Sequence, residues 1–151
     1  MKKVLLFVLT LSTVCAPGLS HAQTTTKVAP AASPTPQNVL KWTKEVLPKM
    51  EKLVPKLEKI KAGHTGKPAG DALRLLATVN HLKEVKAKGA TLKTAEAKRY
   101  YDLIAATVNT FYIECQSQNG GVCCIDCHNH GILGVWCFAN CFVARFPPGI
   151  D

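Results

Sequence analysis

"CCIDCHNHGILGVWCFANC" occupies residues 123–141, and its reading decides the fold of the C-terminal third of the chain. Cys123 and Cys127 are four positions apart, and so are Cys137 and Cys141. Residues four apart share one face of a helix, so two short helical turns here would each present a pair of thiols. The nine residues between them, HNHGILGVW, carry Gly131 and Gly134, which permit a chain reversal. The expected result is an antiparallel helical hairpin. In that register outer joins outer, Cys123–Cys141, and inner joins inner, Cys127–Cys137. Cys115 and Cys124 remain to tie the preceding helix to the hairpin.

The same letters admit two other readings. Cys124-Ile-Asp-Cys127-His128 has the pattern of a covalent haem attachment site, with two thioether anchors and a proximal histidine. Met50, on the first helix, is then a candidate for the opposite axial position, as are His64 and His81. Zinc would draw on Cys124, Cys127, His128 and His130, but these crowd into seven residues. Structural zinc sites usually take ligand pairs from two separated elements. The primary expectation is therefore disulfide bonding with no metal and no cofactor, and haem c is the alternative.

The beginning of the chain supports paired thiols. Lys2 and Lys3 precede an apolar run from Val4 to Val14, and Ser20-His21-Ala22 follows as a small-residue cleavage site. The run is too short for a bilayer span, which needs about 20 residues. Residues 1–22 thus read as a signal peptide cut near Ala22, giving a secreted or periplasmic protein. Cys15 falls in the removed segment. The remaining six cysteines, an even number, all lie after residue 114 and enter an oxidising compartment.

Residues 23–37, "QTTTKVAPAASPTPQ", are rich in Thr, Ala and Pro and read as a flexible tether. Residues 38–113 carry helical periodicity and form a cationic three-helix region, with 114–151 as the cysteine-rich hairpin. Val39, Trp42, Val46, Met50, Leu53, Leu57 and Ile60 recur at spacings of three and four. Pro48 and Pro55 oppose an unbroken helix, which predicts a kink or two shorter helices. "AGHTGKPAG" at 62–70 reads as a loop, and Asp71 as the cap of a second helix carrying Leu73, Leu76, Val79, Leu82 and Val85. Gly89 is its stop. Thr94 is the expected cap of a third helix bearing Ala97, Tyr101, Ile104, Val108 and Phe111. Short loops make neighbouring helices antiparallel. The fold class is all-α, a small antiparallel helical bundle with a C-terminal disulfide-stapled helical hairpin. Trp136, Phe138, Phe142, Val143 and Phe146 are more apolar surface than a hairpin needs for itself, so they are expected to cover the bundle.

The C-x3-C-x9-C-x3-C spacing resembles the α-hairpinins, small helical hairpins held by two such bridges. Members of that family include antimicrobial peptides and protease inhibitors. The resemblance covers 19 of the 151 residues and departs from the family pattern at Cys124 and in the long upstream region.

Charge separates the two halves. Residues 23–102 hold 16 basic and 7 acidic side chains, whereas 103–151 hold only Arg145 against Glu114, Asp126 and Asp151. Outside the cytoplasm, the anionic partners of a cationic surface are a membrane or cell-wall surface, or an acidic protein. No nucleic-acid partner is expected. No phosphate-binding glycine loop, nucleophile elbow or metalloprotease motif occurs, so the chain is read as a non-enzymatic binding protein. That class includes antimicrobial or toxin-like proteins and envelope inhibitors or immunity proteins. The alternative is a periplasmic monohaem electron carrier.

Overall fold

A computed structural model describes residues 34–117 and 122–146, the side chains of 122–125 excepted. The expected signal peptide and nearly all of the expected tether lie outside the described residues. Six α-helices follow in order: α1 (Pro36–Glu51), α2 (Val54–Gly63), α3 (Lys67–Lys88), α4 (Thr94–Ser117), α5 (Val122–Asn129) and α6 (Gly134–Arg145). Single 3-10 turns at Gly89–Thr91 and Gly131–Leu133 complete the elements, and no strand occurs among the described residues. The all-α class and the C-terminal hairpin are as expected.

Helix α1 starts earlier than its apolar pattern implies. The Thr35 hydroxyl accepts from the Asn38 N–H at 3.3 Å, and Pro36 occupies the first helical turn, where its missing N–H costs nothing. Pro36 and Gln37, read above as tether, are therefore helical. Of the two prolines in the following repeat, only Pro55 marks a break. The chain leaves α1 at Glu51, the Leu53 N–H reaches the Met50 carbonyl at 2.9 Å, and α2 begins with Pro55 in its first turn. Pro48 stays inside α1.

Two caps differ from expectation. Helix α3 opens at Lys67 with Pro68 in its first turn and Gly66, at φ +67°, just before it. Asp71 therefore sits one turn inside the helix. Packing turns Ala72, Leu75, Leu76, Val79, Leu82 and Val85 inward, while Leu73 is 57% exposed. At α4, Thr94 lies within the helix. The Glu96 carboxylate instead accepts from the Lys93 N–H at 3.1 Å, the reach-back half of a capping box. Tyr100, rather than Tyr101, is the more buried of the pair.

Helix α3 packs on α1, α2 and α4, and α6 packs on α4, α1 and α2 as well as on α5. The α1–α2 pair, α3, α4 and α6 thus form a four-layer bundle. Its core runs through Met50, Leu57, Leu75, Val108, Val135 and Phe138. The apolar α6 face is the fourth layer: Phe138, Phe142 and Val143 are buried, and Trp136 and Phe146 pack against the core from its margin. Each fully buried side chain of this size contributes about 1.5–3 kcal/mol relative to exposure. That burial, more than helix propensity, holds the short α6 in place.

Candidate functional site

The hairpin is clamped by a disulfide and by a glycine. Cys127 on α5 and Cys137 on α6 are bonded, with Cα atoms 5.2 Å apart, as the antiparallel register expects. Gly131 takes φ +57° in the reversal, a conformation that suits glycine. Gly134 has a different task from the one read in the sequence. It begins α6 with ordinary helical angles, and a Cβ built on it would meet the Cys127 carbonyl oxygen at 2.2 Å. Its missing side chain lets the two helices approach closely enough for the adjacent bond to form.

The sulfur atoms form one cluster. Cys141 lies one turn beyond Cys137 on α6, and its sulfur is 3.9 Å from that of Cys127. The three sulfurs of Cys127, Cys137 and Cys141 fall within 4.8 Å of one another. Cys115 and Cys141 each take part in a further disulfide. The pairings expected for them, Cys115–Cys124 and Cys123–Cys141, involve side chains outside the described residues. A sulfur held in a disulfide is not a thiolate ligand, so metal binding by this cluster would require its reduction.

The residues of the haem reading are dispersed into structural roles. The Cys127 sulfur is committed to Cys137, and the same sulfur cannot at once form a thioether. His128 stacks on Tyr112, with ring centroids 3.8 Å apart and planes 15° from parallel. Met50 is wholly buried in the core, where an aliphatic thioether is a good gap-filler. The Cys124 side chain lies outside the described residues. Of the zinc reading, His130 is an exposed turn residue. His64 meets Phe146 edge-on at 6.0 Å, and His81 lies 6.1 Å from the Tyr100 ring.

Beside the sulfur cluster, between the start of α3, the end of α4 and the end of α6, lies a cavity of about 270 Å³. Its walls are mainly aromatic. Phe111 stacks at 6.4 Å on Phe138 and meets Phe142 edge-on at 5.9 Å, and Phe142 contacts Phe146 at 5.1 Å. Lys67, Asp71 and Glu114 also line it and join Arg74 in a charged network. Lys67 bonds Asp71 at 2.8 Å and Glu114 at 2.6 Å, and Arg74 approaches the same two carboxylates at 3.3 and 3.9 Å. Partial desolvation would lower the Lys67 pKa, but the hydrogen bonds to Asp71 and Glu114 together outweigh it and hold the ammonium above the usual lysine range. Periodicity could not have found this cavity, because its walls come from three helices far apart in sequence.

The opposite character belongs to α1 and α2. Lys41, Lys44, Lys49, Lys52, Lys56, Lys59 and Lys61 are all exposed, against Glu45, Glu51 and Glu58. Lys49 pairs loosely with Glu45 at 3.9 Å and also lies 4.9 Å over the Trp136 ring. Lys61 pairs with Glu58. The apolar residues of both helices face inward, with Val46, Leu47, Met50, Leu57 and Ile60 buried.

No family model, curated protein or solved structure matches this chain.

Proposed function

We propose that this is an exported, disulfide-stapled helical protein that acts by binding and docks its lysine-bearing α1–α2 face on an anionic surface of the cell envelope. It would serve there as an antimicrobial or toxin-like protein, or as an envelope inhibitor or immunity protein. The observation that supports this reading is the exposure of seven lysines against three glutamates on two consecutive helices and the turn that joins them. Clustered basic residues near an anionic lipid surface contribute about 1 kcal/mol each at physiological ionic strength. A surplus of four is therefore enough for reversible adsorption.

The mode of contact follows from packing. The apolar sides of α1 and α2 are spent in the core, and no helix among the described residues is long and apolar enough to cross a membrane. Docking is then electrostatic and shallow, and salt at molar strength, with a Debye length of about 3 Å, should abolish it. The test is co-sedimentation of the oxidised protein with vesicles containing one-quarter phosphatidylglycerol and with neutral phosphatidylcholine vesicles. Binding to the anionic vesicles, released by salt and lost in Lys41→Glu/Lys44→Glu/Lys52→Glu/Lys56→Glu, is the expected result. Equal binding to neutral vesicles, or none to anionic ones, refutes the reading.

A further inference from the structure

We propose that the aromatic cavity between α3, α4 and α6 binds a small amphipathic monoanion, of the class of medium-chain carboxylates. Shape and lining come first. Four phenylalanines and the side chains of Cys115 and Cys141 surround the interior, which therefore favours an apolar body. A cavity of about 270 Å³ has room for several water-sized groups. A medium-length alkyl chain with a carboxylate head is a ligand of that kind.

The charge at the mouth selects the head group. Lys67, Arg74, Asp71 and Glu114 form a closed set of two cations and two anions joined by their own contacts. The same rim carries one more charge, Arg145 at the end of α6. Its guanidinium lies 5.6 Å over the Phe146 ring, and no carboxylate pairs with it among the described residues. Counting Arg74, which pairs with these two carboxylates without itself lining the cavity, the five groups sum to one surplus positive charge beside the aromatic wall. A ligand with a single negative head satisfies it. An ammonium head would meet a repelling guanidinium, and carboxylates already taken by Lys67 and Arg74.

This site is separate from the lysine face of α1–α2, so the two proposals fail independently. The test is calorimetric titration of the oxidised, full-length exported protein with octanoate, octanol and octylammonium at fixed ionic strength. Octanoate should bind most tightly and octylammonium least. Arg145→Gln should weaken octanoate by about fivefold, the worth of a partly exposed ion pair, and leave octanol unchanged. Phe146→Ala, at the half-buried margin of the wall, should weaken both. Circular dichroism of each variant reports whether the helices persist, and Lys52→Glu/Lys56→Glu should bind octanoate as the parent does. Absence of binding by all three ligands overturns the proposal. So does octylammonium binding as tightly as octanoate, or an Arg145→Gln protein that binds octanoate undiminished.

Discussion

Replacing Gly134 with alanine adds one methyl group at the tightest point between α5 and α6, and its effect can be worked through from the structure. The new Cβ would lie 2.2 Å from the Cys127 carbonyl oxygen, well inside the 3.0 Å that real Cβ atoms keep. The obstacle is backbone, so no side chain can rotate away. The helices must separate by about 0.8 Å or more, yet the Cys127–Cys137 bond holds them together within a turn of that point. Forced overpacking costs about 1–3 kcal/mol, and a disulfide-locked backbone clash belongs at the upper end. Alanine's better helix propensity and reduced unfolded-state entropy return about 1 kcal/mol. The net loss is about 2 kcal/mol, or roughly 8 °C in Tm for an ordered region of this size.

The assay is thermal unfolding of the oxidised protein followed at 222 nm, with Gly70→Ala as the control. Gly70 lies inside α3 with nothing within 4 Å of a built Cβ, so the same substitution there should raise Tm by a few degrees. Opposite signs at the two glycines are the expected outcome. A Gly134→Ala protein as stable as the parent, with its cross-link intact, would refute the close-approach argument.

Three further outcomes follow. Removing the cross-link in Cys127→Ser/Cys137→Ser should lower stability by about 2.7 kcal/mol, the loop-closure entropy of a ten-residue separation, measurable by urea unfolding. The Glu84 hydrogen bond at 2.8 Å, aided by burial, holds the Tyr100 phenol above the usual tyrosine range; Glu84→Gln should bring one tyrosine's ultraviolet titration down towards the ordinary value. The Glu96 carboxyl is held below its usual range by the Lys88 hydrogen bond and then by the Lys93 N–H. Its stabilisation is therefore complete above about pH 4.5 and fades as pH falls through the lower folded value. Lys88→Ala should flatten the fall in Tm between about pH 5 and 3.

Much of the bundle was legible because burial imposes a helical period on apolar residues, and Val39, Val46, Met50, Leu57 and Ile60 keep that period through Pro48. Phase was harder to read. Asp71 was misplaced because α3 begins at Lys67, with Pro68 in its first turn, on residues that look like a loop. Leu73 was misplaced because a strict spacing of three drifts around a helix of 3.6 residues per turn, and the buried face runs through Leu75 and Leu76 instead. Tyr100 and Tyr101 differ by one position, and only tertiary contacts decide which turns inward. The inner cysteine pair could be read from spacing, since helical geometry and chain reversal together leave one antiparallel register. The role of Gly134 could not, because a glycine needed for close helix approach has the same letter as one needed for a turn. The cavity was invisible for a related reason: Lys67, Phe111, Phe138 and Phe146 share no local pattern.

The measurement that reaches furthest is a non-reducing peptide map of the protein, with cuts before Asp126, between Ile132 and Trp136, and after Phe138, so that Cys127 and Cys137 each stand apart from the other cysteines. A fragment pair joined through Cys127 and Cys137, separating only on reduction, is the predicted result. Alkylation of both residues without reductant, or a haem mass attached to Cys127, would contradict the clamp on which the C-terminal layer of the fold is argued to depend.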